Sequence, residues 1–221
     1  MLEASWRVIA RLGLDGTTTR EIAREANYST GVLAHYFKNK DEILRLALDY
    51  AHIQVRGRVN ALRERLKGIE LLRAVLAEAL PLDYQRQLEM TLEVSFWART
   101  VAQTSLRASQ HADHDRWLTI VRELVQGAIA AGELPSDLDA ADAAMTLIIF
   151  IDGLGLNGLL VAERIPSAKV EQLLDRQLQM LGASLPVGPR PARRTLRNSA
   201  SRSSAVKELQ RSRVEHDRSP T

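Results

Sequence analysis

The segment from Thr18 to Leu44 constrains the fold most, because it holds two helix starts with little room between them. Thr18 with Glu21 forms a capping box, in which the threonine hydroxyl and the glutamate satisfy each other's orphan backbone donors. Asn39 with Glu42 offers the same arrangement. Between these starts the run EANYST breaks the apolar spacing, and Asn27 can take the left-handed conformation that a tight turn between helices needs. The next stretch, STGVLAHYFKNKDEIL, then fits only a short helix, Thr30 to Tyr36, before Lys38, Asn39 and Lys40 reset the chain. A helix from Thr18 to Ala26, a tight turn and a short second helix make a helix-turn-helix.

A short helix presented at its N-terminus by such a turn fits the DNA major groove, while the helix before it crosses the backbone. Ser29 and Thr30 sit where hydroxyls and helix-terminal amides meet a phosphate or a base edge. Gly31 adds no side chain and lets the backbone come close. Val32 and Ala34 suit a thymine methyl, and His35 suits a hydrogen-bond acceptor. Leu33 and Phe37 point the other way, with Ile9, Leu12, Ile22 and Leu44, into a small core. Tyr36, Lys38 and Lys40 border the groove where a phosphate would pass.

The remainder reads as helices throughout. Pro and Gly are sparse, no useful stretch alternates with period two, and Ala, Leu, Glu, Gln and Arg dominate. The fold class is all-α, with about nine helices: Leu2 to Leu12, the two above, Asp41 to Leu66, Ile69 to Ala79, Tyr84 to Gln103, Asp113 to Ala131, Asp139 to Val161, and Ala168 to Leu181. The expected organisation is a helix-turn-helix domain at 1–48, a second helical domain at 49–185 and a tail at 186–221. The chain carries a net charge of +3, yet the tail alone holds nine Lys or Arg against three acids, so the rest is acidic overall. Rich in Pro, Ser and Arg and poor in large apolar groups, that tail cannot offset its ordering entropy and is expected to be disordered. It could add non-specific affinity for DNA phosphates.

Several chemistries are excluded. The chain has no cysteine, which removes disulfides and thiolate catalysis and fits a reducing cytoplasm. No Gly-rich phosphate loop, H-E-x-x-H or nucleophile elbow is present, so no enzyme is expected. HADH at 111–114 lacks further clustered ligands, so it reads as an exposed helix start rather than a metal site. No cofactor and no metal are expected. The segment 143–162 is apolar nearly all round, but Asp152, Asn157 and three glycines inside it argue against a membrane span. A helix covered by its own domain on one side and by a twofold partner on the other explains both the apolarity and the glycines. The expected partner is thus a second copy, through the helices 139–161 and 168–181.

DGTTTREIAREANYSTGVLAHYFKNKDEIL resembles the TetR family of bacterial transcriptional regulators, whose pattern runs G-x-x-x-T-T-x-x-I-A-x-x-A-G-V-S-x-G-x-L-Y-x-Y-F-x-x-K-x-x-L. The resemblance implies that Thr18, Thr19 and Arg20 open the phosphate-crossing helix, with Arg20 able to reach a guanine edge. It implies that Thr30, Gly31, Val32 and His35 read bases, and that Tyr36 and Lys40 anchor phosphates. Asn27 replaces the turn glycine, Tyr28 a small apolar residue, and Ala34 a tyrosine that often touches DNA, so the operator sequence stays open. The chain opens about a turn into the family's usual first helix, so either a basic arm is absent or the start lies upstream.

LEVSFWARTVAQTSLRA, DRWLTIVRELVQGAIAAGEL and LIIFIDGLGLNGLL resemble the branch containing choline- and betaine-pathway repressors, whose C-terminal domains hold an effector pocket and a dimer interface. Met90, Glu93, Phe96 and Trp97 share a helix face here, and Trp117, Phe150 and Asp152 could face them. Such a set is either ordinary core or an apolar cavity with Glu93 or Asp152 held for a cationic or polar effector. The expectation is a cytoplasmic, ligand-responsive repressor that binds a palindromic operator as a homodimer and is released by a small molecule. Two alternatives stand beside it: an effector-independent DNA-binding regulator, and a small-molecule-binding protein with a vestigial helix-turn-helix.

Overall fold

A computed structural model describes residues 2–29, 31 and 40–183, and this part is helical, without a strand. The tail lies outside the described residues, as does the expected short helix 30–36 apart from Gly31. Helix α1 spans Leu2–Gly16 and runs past the expected end at Leu12, but its path breaks at Gly13, whose φ of 71° only glycine adopts at little cost. Helix α2 spans Thr19–Ala26. Its Thr18 Oγ1 accepts the Glu21 N–H at 3.2 Å, which is half of the expected capping box. The reciprocal bond is not made, because the Glu21 carboxylate pairs with the Arg24 guanidinium one turn on. Asn27 closes the helix in the left-handed region at φ 59°, ψ 38°, and the Tyr28 N–H returns to the Ala23 carbonyl at 2.9 Å.

Six helices follow: α3 (Lys40–Arg63), α4 (Gly68–Glu78), α5 (Tyr84–Ala102), α6 (Arg107–Ala130), α7 (Ala140–Leu160) and α8 (Ser167–Met180). Helix α6 starts six residues before the expected Asp113, after a short 3-10 turn at Thr104–Leu106. The extra residues contain no helix breaker, and Arg45 of α3 grips them through Ser109 and Asp113, with Nη1 donating to Asp113 Oδ2 at 2.6 Å. Tertiary contacts of this kind, more than propensity, extend a helix. HADH therefore lies inside α6 instead of at its start.

Two cores result. The first joins α1, α2 and the N-terminal half of α3, burying Val8, Ile9, Ile22, Leu44 and Leu48 together with Leu92 and Phe96 of α5. Leu12, expected there, is 41% exposed. The second core lies among α3, α4, α6, α7 and α8 and buries Leu72, Leu76, Val121, Leu147, Ile151 and Leu174. Helix α3 contributes to both cores, while α5 packs on α3 and supplies Leu92 and Phe96 to the first. With 24 residues, α3 extends about 36 Å and crosses the boundary expected at 48 without a break.

Helix α7 is long and apolar enough to cross a membrane by length and composition, but it packs against α5, α6 and α8 as a core helix. Its Ala143, Ala144, Leu147, Ile148, Ile151 and Leu154 are buried. Gly155 and Gly158 serve this same packing: a Cβ on Gly155 would lie 2.8 Å from Met90 Cε, and one on Gly158 2.8 Å from Pro81 Cγ. These two glycines thus admit the chain's own α5 region, not the twofold partner for which they were expected. The opposite stripe of α7, with Met145, Ile149, Gly153 and Leu160, is exposed, and Ile149 and Leu160 reach 64% and 72%.

Candidate functional site

Helices α3 to α7 line a partly open cavity of about 210 Å³. Met90, Glu93 and Trp97 reach it from α5 at helical spacing, Trp117 and His114 from α6, Ile148 and Asp152 from α7, and His52 and Val55 from α3. Two indoles and aliphatic groups share the lining with five carboxylates and three arginines, an excess of acid suited to a small cation: aromatic faces attract it and a carboxylate neutralises it.

The two acids differ in environment. Glu93 bonds His52 Nε2 on α3. Burial disfavours the imidazolium, but the Glu93 carboxylate outweighs burial and holds the His52 pKa above its ordinary value. Asp152 has no such partner among the described residues. Burial first, and the neighbouring Glu93 charge second, raise its carboxyl to about 6, while His114 works the other way. An unpaired carboxylate in a cavity that two tryptophans also line leaves a place for a positive ligand group.

Beneath this lies a closed ionic network. Arg58 Nε donates to Glu78 Oε2 at 2.6 Å and its Nη1 to Glu89 Oε1 at 3.0 Å. Glu78 and Glu89 are 7% and 6% exposed, so their charges need this partner. Arg86 adds a bond to the Ala77 carbonyl at 3.3 Å and pairs with Asp83 at 2.7 Å. Each acid of this network has an arginine partner, so the network lines the cavity without an open charge and leaves Asp152 as the cavity's acid with no partner among the described residues.

Of the residues expected at an effector site, Met90, Glu93, Trp97, Trp117 and Asp152 line the one cavity. Phe96 and Phe150 do not. Phe96 is wholly buried in the N-terminal core beneath Arg45, whose guanidinium carbon sits 5.4 Å from the ring centre. Helical spacing explains this: 90, 93 and 97 repeat on one side, whereas 96 and 92 turn to the other. Phe150 packs, half-buried, against the larger core, while Ile148 and Asp152 on either side of it face the cavity. Sequence reasoning missed His52 and His114, and also the Arg58, Glu78, Glu89 and Arg86 network. These residues are scattered over helices far apart in sequence, and only their sign complementarity hinted at pairing.

The helix-turn-helix side is described in part. Thr18 and Arg20 are exposed at the start of α2 and Thr19 is half-buried beside them. Ser29 and Gly31 are exposed beyond the Asn27 turn, and a Cβ on Gly31 would meet nothing within 4 Å. Thr30, Val32, Ala34, His35, Tyr36 and the Lys40 side chain lie outside the described residues. The α2 surface is tied to α1 by ion pairs, Arg7 to Glu25 at 2.8 Å and Arg11 to Glu25 at 3.0 Å.

Residues 1–47 match the family of bacterial regulatory proteins, tetR family, and residues 68–183 match the BetI-type transcriptional repressor C-terminal domain. The chain is 30% identical over 191 residues to the HTH-type transcriptional regulator BetI of Burkholderia cenocepacia, covering 83% of this chain and 93% of that protein. It is 28% identical over 181 residues to the HTH-type transcriptional regulator PksA of Bacillus subtilis, covering 81% and 86%. A transcriptional regulator from Rhodococcus sp. Rha1 superposes with a TM-score of 0.66 at 27% identity, over 84% of this chain and 97% of that one. A regulator from Saccharomonospora viridis, solved in complex with choline, shares the fold with a TM-score of 0.68 at 24% identity, over 80% and 93%. These relatives are transcriptional regulators and not enzymes. The chain belongs to the TetR family of bacterial transcriptional regulators, with a DNA-binding helix-turn-helix and a BetI-type C-terminal domain.

Proposed function

We propose that this regulator is a cytoplasmic, ligand-responsive repressor, which binds a palindromic operator as a homodimer and releases it when a cationic small molecule enters the cavity. The observation that carries the reading is Asp152, an acid with no partner among the described residues, which lines the same cavity as Trp97 and Trp117, a cavity whose α3 wall also builds the N-terminal core. Choline bound to the S. viridis regulator and the BetI-type domain match support the choice of a cation. The exposed apolar stripe of α7, with Met180 exposed on α8, supports a twofold contact between copies.

The helix-turn-helix supplies one half-site, so a dimer reads two half-sites about one DNA turn apart. A ligand can release DNA only by favouring the conformation that binds DNA less well. The coupling is reciprocal: operator weakens ligand affinity by the factor by which ligand weakens operator affinity, typically about 5- to 150-fold. The test is binding to DNA from the chain's own upstream region, measured with and without choline, in the parent and in Trp97→Ala. The parent should lose operator affinity with choline, and Trp97→Ala should keep operator affinity but lose the response. A Trp97→Ala protein that is stable and fully responsive removes the cavity from the mechanism.

A further inference from the structure

The cavity is not sealed. On its α3–α6 side it adjoins a surface groove of about 430 Å³, and the two spaces share Arg56, Val59, Arg116 and Ile120 as lining residues. The balance of charge differs between them. Acids outnumber arginines in the inner space, where Asp152 is the one left without a partner among the described residues, whereas the groove sets the three guanidinium groups Arg56, Arg63 and Arg116 against the two acids Asp115 and Glu123. These guanidinium groups are incompletely used. Arg56 has no partner among the described residues, the buried Arg63 Nε has no hydrogen-bond partner, and Arg63 approaches Glu123 only to 3.9 Å. Arg116 pairs with Asp113 one turn back and stays 62% exposed.

The charge of Glu93 acts on Asp152, and Glu93 bonds His52, which lies four residues before Arg56 on α3, so about 6 Å along that axis separates the level of this acidic pair from that of Arg56. We infer that the ligand is a zwitterion: an ammonium group seated at Asp152 between the tryptophans, joined by a spacer of about three or four atoms to a carboxylate or phosphate held at the mouth by Arg56 and Arg116. A guanidinium fork suits either anion, and its bond to a charged acceptor is stronger than one between neutral groups. This rests on the reading of the cavity as a cation site and adds the second pole, which that reading does not require.

Calorimetric titration of the full chain with four probes tests it: choline, glycine betaine, 4-(trimethylammonio)butanoate and phosphocholine. The last two have spacers that reach the mouth, and each should bind about tenfold more tightly than choline, whereas the one-carbon spacer of glycine betaine should bring no gain. In Arg56→Ala the ratio of zwitterion to choline affinity should fall about tenfold, with melting temperature and operator binding as controls for folding. If Arg116 compensates, the Arg56→Ala/Arg116→Ala double variant should show the fall. Equal affinity of the parent for choline and both long zwitterions overturns the inference, as does a ratio unmoved in the double variant. Binding of none of the probes, or affinity for all of them unaffected by Asp152→Asn, instead overturns the cation cavity itself.

Discussion

Asp152 costs the folded chain something at neutral pH. Its carboxyl sits at about 6 in the fold, while an unfolded aspartate titrates near about 3.9. The folded state therefore holds a proton that the unfolded state releases, and the group's contribution to stability falls as pH rises from about 4 through 6. Asp152→Asn removes this decline. Compared with the parent, the variant should melt higher at pH 8, and the difference should vanish towards pH 4. Choline affinity of the parent should rise between pH 5 and pH 7 as the carboxylate forms, and the variant should show a flat, weak profile. A parent-minus-variant melting difference independent of pH contradicts the assignment. The acid itself was legible in the sequence as an odd charge in an apolar run, but its partners were not. Phe96 shows why: aromatic residues adjacent on a helix look alike in sequence, and one residue of offset sends a ring into another core.

At the scale of elements, α7 separates two kinds of substitution that the sequence treats alike. Ile149 lies on the exposed stripe, while Gly158 contacts Pro81 inside the same chain. Ile149→Glu should leave melting temperature nearly unchanged but give a monomer by sedimentation and weak operator binding, because one half-site supplies too few contacts. Gly158→Glu should instead lower melting temperature or aggregate, since it forces a charge into a packed interface. A dimeric Ile149→Glu protein with normal operator affinity refutes the interface. Among the described residues, the α-helices and most of their ends were readable from apolar spacing and caps. The start of α6 was not, because the six residues before Asp113 are held by Arg45 from a helix some sixty residues earlier. Likewise, Glu21 forms half of its capping box because Arg24 competes for it, a choice made by side-chain geometry that motif spacing does not encode.

For the whole molecule, operator binding should divide into a part that reads sequence and a part that reads charge. Lys40→Ala should weaken binding to every DNA alike and lower the salt slope by about one. His35→Ala should cost about 1 to 3 kcal/mol on the operator and relax preference at one position. Binding measured at two salt concentrations, on operator and on unrelated DNA, distinguishes them, and unchanged operator affinity in both variants refutes the helix-turn-helix assignment. One helix also ties these functions together. On α5, Leu92 and Phe96 belong to the core under the DNA-binding helices, and Met90, Glu93 and Trp97, interleaved with them, face the cavity. A genetic selection should therefore find two phenotypes alternating within a single turn: new inducer specificities at 90, 93 and 97, and altered basal expression at 92 and 96. On the proposed role of the cavity, exchanging a separate module would not by itself deliver a new inducer, and a change in ligand at 90, 93 and 97 should be accompanied by compensating changes in α1 and α3.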